Sequence, residues 1–278
     1  MKVAIQGQAG SFHHQAAEML FPGETLELVC CNHFKDVFDA LSKGIVDHGV
    51  VAVENNIYGS INDTYRLLME HNTWTSRDIS LKIQQQLIGP EAVNLDELRE
   101  ADDVVVTSQA PALAQVEQWL EKNLPNAHRE ESNDTAESVI QSVKLKNPHH
   151  LAIASKRAAV LHNGTIVAKD IQDDPHNYTR FITISRGRES TPHPTHASLI
   201  LITDHSPGAL IRALKVFADA RSNLAKLDSH PIPGDKRHYA FYIDCEIPAE
   251  GMQTILEKLV LEKCEYKLLG ESTTFLEA

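Results

Sequence analysis

Thr179 and Arg180 stand where a turn-forming polar cluster, Asp173-Asp174-Pro175-His176-Asn177, runs into the alternating stretch Phe181-Ile182-Thr183-Ile184-Ser185. A guanidinium can grip a carboxylate through two parallel hydrogen bonds. A hydroxyl beside it can donate a hydrogen bond or a proton to a neighbouring group on the same ligand. Taken alone the pair also fits the solvated start of an ordinary strand, so its weight depends on three further polar clusters. Gly7-Gln8-Ala9-Gly10-Ser11-Phe12 puts glycines and free N–H groups between a strand and a helix, where an anion can approach the backbone. A tight turn with Ser11 as N-cap accounts for it equally, and the third glycine of a dinucleotide fingerprint is missing. Glu54-Asn55 follows a buried apolar run, and Asn55 offers both donor and acceptor. Ser108 closes the strand pattern Val104–Thr107.

The elements that would position these groups alternate strand with helix through the first 185 residues. Val3–Gln6 is a short strand, and Ser11 caps a helix running to about Leu20. Leu26–Cys30 is a second strand; Phe34, Val37, Phe38 and Leu41 repeat at helical spacing, and Gly44 ends that helix. Gly49–Val53 is continuously apolar, as in a strand buried on both faces. The pattern recurs with a strand at Val104–Thr107, a helix at Pro111–Leu120, a helix at Ala136–Val143 and a strand at Leu151–Ala154. This predicts an α/β architecture with largely parallel sheets, in two lobes joined by connectors near 77–89 and 165–171. Ligands in such folds meet the carboxyl ends of strands.

Residues 186–196 hold a glycine and two prolines and read as a linker. Beyond them the order is strand (Ala197–Thr203), helix (Ser206 as cap, Pro207 first), strand (Asn223–Ser229), strand (Tyr239–Cys245), helix (Met252–Leu259) and strand (Tyr266–Gly270). The order βαββαβ is ferredoxin-like.

Composition narrows the field. Of 278 residues, 42% are hydrophobic and 23% charged, an ordinary globular balance, and no apolar run approaches the ~20 residues of a membrane span. The N-terminus enters a strand at once without a signal-peptide pattern, so a cytoplasmic protein is expected, without a membrane partner. A net charge of −12 argues against nucleic acid, and it makes any arginine near a pocket count for more. Cys30, Cys31, Cys245 and Cys264 form no Cys-x-x-Cys pair, and the 15 histidines follow no ligand motif, so neither a metal nor a disulfide framework is expected.

Asn177, Thr179, Arg180 and Phe181, with Asp173 upstream, resemble the Asn-x-Thr-Arg-Phe signature of the prephenate dehydratases. Gly7–Phe12 is similar to the family's opening motif, with His13 where serine is usual. Glu54-Asn55-Asn56-Ile57-Tyr58-Gly59-Ser60 resembles its Glu-Asn-Ser-x-x-Gly-Ser/Thr, with Asn56 in the serine's place. Ser108, Ala112, Leu113 and Gln115 match a further segment, in which Gln109-Ala110-Pro111 replaces His-Pro-Gln. In the tail, Pro207-Gly208-Ala209-Leu210 resembles the Gly-Ala-Leu motif of an ACT domain, and Asp228-Ser229-His230-Pro231 stands where the family has Glu-Ser-Arg-Pro.

The resemblance implies a two-lobed, periplasmic-binding-protein-like (type II) catalytic domain over 1–185, the linker, and an ACT regulatory domain over 197–278. It implies decarboxylating dehydration of prephenate to phenylpyruvate in L-phenylalanine biosynthesis, with no cofactor. Thr179 and Arg180 would be catalytic, and Ser11, Glu54, Asn55, Ser108, Asn177 and Phe181 would contact substrate. Gly208, Ala209, Leu210, Asp228, Ser229, His230 and Pro231 would frame an L-phenylalanine effector site between paired ACT domains, in a homodimer or homotetramer. Two alternatives stay open: an arogenate dehydratase, and a non-catalytic small-molecule sensor on the same fold.

Overall fold

Val3, Ala4 and Ile5 are fully buried in the strand Lys2–Gln6, which pairs in parallel with Glu27–Cys31 on one side and His48–Asn55 on the other. In this computed structural model the described residues are 1–273, except Pro233, Lys236 and Arg237, together with the backbone of 276 and 277. Residues 274, 275 and 278, at the end of the expected regulatory domain, lie outside them. Val50, Val51, Ala52 and Val53 are all buried, so the apolar run is a central strand covered on both faces. The sheet continues from His48–Asn55 to Tyr178–Ser185 and then Asp78–Lys82. The helix Phe12–Leu20 buries Ala16, Ala17 and Leu20, and the helix Phe34–Ser42 buries Val37, Phe38 and Leu41.

A second sheet runs in the order Thr165–Ala168, Gln86–Gly89, His150–Ala154, Val105–Ser108, His128–Glu131. Its last three strands are parallel, and Gln86–Gly89 pairs antiparallel with both of its neighbours. The sheet is therefore mixed where the alternation predicted mainly parallel pairing. The strands near the two predicted connectors are the antiparallel ones, because there the chain enters and leaves the lobe instead of crossing over through a helix.

The chain divides into two units. The first comprises Met1–Ser60 and Ile79–Phe181 with the extreme C-terminus, and the second comprises Ile61–Asp78 and Ile182–Leu276. The second unit holds a four-stranded antiparallel sheet in the order Leu224–Pro231, Tyr239–Glu246, His196–Ile202, Glu265–Ser272. The helices Ala209–Asp219 and Met252–Leu261 pack on it through Ala213, Phe217, Ile255 and Leu259, completing a ferredoxin-like βαββαβ arrangement. Its first helix begins at Ala209 with Gly208 as cap at φ +80°, not at Pro207 after Ser206. That left-handed φ suits glycine, and Ser206 and Pro207 belong to the turn that leads into it.

The helix Asn62–Glu70 also belongs to this second unit. Tyr65 stacks on His230 with centroids 5.2 Å apart and meets Tyr242 edge-on at 4.6 Å, while the Tyr242 hydroxyl donates to the Tyr65 carbonyl. Lys267 Nζ donates to the carbonyls of Leu68 (2.8 Å), Met69 (3.3 Å) and His71 at the helix C-terminus. Cations are favoured there by the unpaired carbonyls and the helix dipole.

Candidate active site

Asn55 and Thr179 lie 124 residues apart in sequence and meet at the top of the first sheet. Asn55 Nδ2 donates to Thr179 Oγ1 at 3.0 Å, to Asn177 Oδ1 at 2.7 Å and to the Tyr178 carbonyl at 3.1 Å. Asn55 Oδ1 accepts from the backbone N–H groups of Ile57 and Tyr58, each at 3.0 Å. Asn56 binds the same turn, donating to the His176 carbonyl and accepting from the Tyr178 N–H at 2.7 Å. Asn56, where the sequence resemblance predicted serine, thus forms a second amide bridge between the two loops. Asn177 is fully buried, and its Nδ2 has no partner among the described residues.

Thr179 is 9% exposed and Arg180 is half-buried. Both sit in the strand Tyr178–Ser185, so their side chains project to opposite faces. Phe181 shares the Thr179 side; it is 2% exposed and packs edge-on against His13 at 4.9 Å. His13 Nε2 accepts from the Ala52 N–H at 3.3 Å, and burial lowers its pKa from 6.5 to about 3, so the ring is neutral.

The glycine-rich turn is closed by the chain itself. Gly7 and Gly10 have φ +90° and +97°. A Cβ at Gly7 would collide with the Asp134 carboxylate, and one at Gly10 would reach the Ala158 backbone. Asp134 caps the helix Thr135–Leu145 by accepting from the Glu137 N–H at 2.8 Å. Burial raises its pKa, while hydrogen bonds from the backbone of Glu137, Gln8 and Ala136 oppose the rise. The space expected to receive a ligand anion therefore holds a side-chain carboxylate. In the sequence, Asn133-Asp134-Thr135 ahead of a helix carries no signal beyond that of a cap.

The remaining expected site residues take these places. Ser11 is 3% exposed and caps the helix Phe12–Leu20, accepting from the His14 N–H at 3.4 Å. Ser108 is fully buried and donates to the Ile153 carbonyl at 2.6 Å. Glu54 is half-buried and pairs in register with Ser60. Asn177 and Thr179 are joined through hydrogen bonds from Asn55, whereas Ser11 is engaged in capping, Ser108 in a bond to the Ile153 carbonyl and Phe181 in packing. Sequence reasoning passed over a cavity of about 390 Å³ in the same unit, lined by Phe12, Lys82, Ser155, Lys156, Arg157 and Leu161 among others; Thr179 is not in its lining. Ile83 donates to the Asn177 carbonyl at 2.8 Å, which sets Lys82 near the turn that leads into the Thr179 strand. The isolated lysines in the sequence had no pattern to mark them.

In the second unit, Gly208, Ala209 and Leu210 line a cavity of about 450 Å³ together with Asp204, His238 and Phe241. Asp228, Ser229, His230 and Pro231 do not line it; His230 instead packs against Tyr65 and Tyr242. Among the described residues, this cavity of one copy does not bring the two effector stretches together.

Two α/β lobes with a fixed hydroxyl on a returning strand, followed by a ferredoxin-like unit, define a class of protein. A solved prephenate dehydratase from Arthrobacter aurescens, described in complex with L-Phe, has this fold at a TM-score of 0.85 and 24% identity, over 99% of this chain and 90% of that one. A structure described as a quorum-quenching acylase has it at 0.84 and 24% identity, over 99% and 98%, so the fold alone does not select the chemistry. Sequence is more specific. Residues 3–189 match the profile of the family described as prephenate dehydratase. The chain is 32% identical over 277 residues to a bifunctional chorismate mutase/prephenate dehydratase of Aquifex aeolicus, covering 100% of this chain and 72% of that protein. It is 35% identical over 257 residues to an arogenate dehydratase/prephenate dehydratase of Arabidopsis thaliana, covering 88% of this chain and 65% of the relative's length. This chain belongs to the prephenate dehydratase family.

Proposed function

We propose that the chain catalyses the decarboxylating dehydration of prephenate. The ring carboxylate leaves as carbon dioxide, and its bonding electrons move through the ring diene. The ring hydroxyl leaves with a proton as water, and phenylpyruvate remains. Aromatisation supplies much of the driving force, so the protein must hold a dianion and help hydroxide depart. No cofactor is needed for that sequence. The observation that carries the reading is the Thr179 hydroxyl, which accepts from Asn55 Nδ2 and so keeps its own hydrogen for a ligand. The high intrinsic pKa of a threonine hydroxyl makes hydrogen-bond donation to the leaving oxygen its main contribution. Lys82 and Lys156 line the cavity of the same unit and offer positive charge to a dianion on a protein of net charge −12, while Arg157 beside them is paired with Glu18. Arg180, on the far face of the strand from Thr179, fits bracing better than a shared grip on one carboxylate.

Following phenylpyruvate by its ultraviolet absorbance after addition of prephenate tests this, with arogenate run in parallel and its product, phenylalanine, measured by chromatography. The Arabidopsis relative carries both names, which favours keeping arogenate as the second substrate. Faster turnover of arogenate would transfer the assignment to it, and no turnover of either would leave the sensor reading.

Residues 1–185 would be the catalytic domain, 186–196 the linker and 197–278 an ACT regulatory domain. The Gly208–Leu210 cavity would take L-phenylalanine, with Asp228–Pro231 contributed by a second copy, which requires a homodimer or homotetramer. Support comes from the cavity itself and from the L-Phe complex of the Arthrobacter protein. Turnover titrated with phenylalanine, alongside light scattering for mass, tests both parts; an indifferent monomer would remove them.

A further inference from the structure

The surroundings of Asn55 fix which way its amide faces. The N–H groups of Ile57 and Tyr58 can only donate, so the atom 3.0 Å from each must be the amide oxygen. The amide nitrogen then faces three oxygens, one of them the Tyr178 carbonyl, which can only accept. The two amide hydrogens are shared among these oxygens, and the planar amide nitrogen cannot accept, so Thr179 Oγ1 faces a donor only and cannot point its own hydrogen back along the same line. Both amide atoms are committed within the protein, and Asn55 is 6% exposed. Nothing remains on the side chain with which to bind a substrate.

We infer that Asn55 is a positioning residue that sets the polarity of the Thr179 hydroxyl, and not a substrate contact. The inference rests on the dehydratase reading above, in which that hydroxyl donates to the leaving oxygen. Replacing the amide by a carboxylate of the same shape reverses the polarity. In Asn55→Asp, one oxygen keeps the Ile57 and Tyr58 N–H groups. The other can only accept, so it draws the Thr179 hydrogen toward itself and away from the ligand. The buried, unpaired Nδ2 of Asn177 can turn to meet the new carboxylate, which gives the variant a route to remain folded.

The test compares wild type, Asn55→Asp, Thr179→Val and the double variant at pH 8 with prephenate. The expected result is a roughly 100-fold loss of kcat in Asn55→Asp, the scale of removing one positioned donor, with KM changed by less than about threefold. In the Thr179→Val background the same change costs less than about threefold more, because the hydroxyl it acts through has gone. Residual kcat in Asn55→Asp rises as pH is lowered, since a protonated carboxyl can donate to Oγ1 again. A kcat near wild type, full multiplication of the two effects, or a raised KM at unchanged kcat overturns the assignment. If Asn55→Asp does not fold, or wild type turns over neither substrate, a neutron structure of the wild type decides. The Thr179 hydrogen directed away from Asn55 supports the assignment, and the hydrogen directed at Asn55 overturns it.

Discussion

His13 gives the most quantitative handle on the catalytic unit. The structure packs it between Phe34 at 5.6 Å and Phe181 at 4.9 Å, with Nε2 accepting from the Ala52 N–H. Burial, with no neighbouring charge to offset it, lowers its pKa from 6.5 to about 3. Between those values the folded state binds fewer protons than the unfolded state, so stability is fully present above about pH 6.5 and is lost as pH falls toward 3. The difference of about 3.5 units is worth about 5 kcal/mol at the acid end, accumulating at about 1.4 kcal/mol per pH unit. His13→Gln retains an acceptor for Ala52 and removes the titration. Urea unfolding of both proteins from pH 7 to pH 4 should give wild type the steeper loss, by about 1.4 kcal/mol per pH unit. His14, also lowered mainly by burial, is present in both and cancels in the difference. Parallel stability curves, or a His13 imidazole that titrates near 6.5 in the folded protein by NMR, would refute the reasoning.

Lys267→Met keeps most of the stem and removes the ammonium from the carbonyls of Leu68, Met69 and His71; a loss of about 2 kcal/mol in urea unfolding is expected, and a loss below about 0.5 kcal/mol contradicts the capping role. Gly7→Ala combines a left-handed backbone with a collision against Asp134, whereas Gly23→Ala has a similar φ and open space. The first should cost at least about 1 kcal/mol more than the second by thermal unfolding, and equal losses would mean that Asp134 yields without penalty.

Local signals in the sequence were read well where the cause is local. Ser11 before an amphipathic run is such a case, and so is Gly49–Val53 as a strand buried on both faces. The single helix expected over Pro111–Leu120 is instead two, Ala110–Ala114 and Glu117–Asn123. Asp173, more than 50 residues away, accepts from the N–H groups of Gln118 and Trp119 and restarts the helix, a tertiary cap that leaves no local trace. The same holds for the site. The Asn177–Phe181 stretch marked Thr179, but spacing could not reveal that Asn55 is bonded to it or that Asp134 fills the glycine turn. Resemblance gave residue identities, while their division into packing, positioning and donation required the hydrogen-bond partners.

The central claim is that one hydroxyl, held as an acceptor on its Asn55 side, helps the substrate's ring hydroxyl depart. Phenylpyruvate formation by wild type and Thr179→Val, which keeps the β-branched shape, tests it most directly. An unchanged thermal midpoint and a kcat lower by roughly 100-fold, equivalent to about 2.7 kcal/mol of barrier, are expected. A folded Thr179→Val enzyme with wild-type turnover would contradict it.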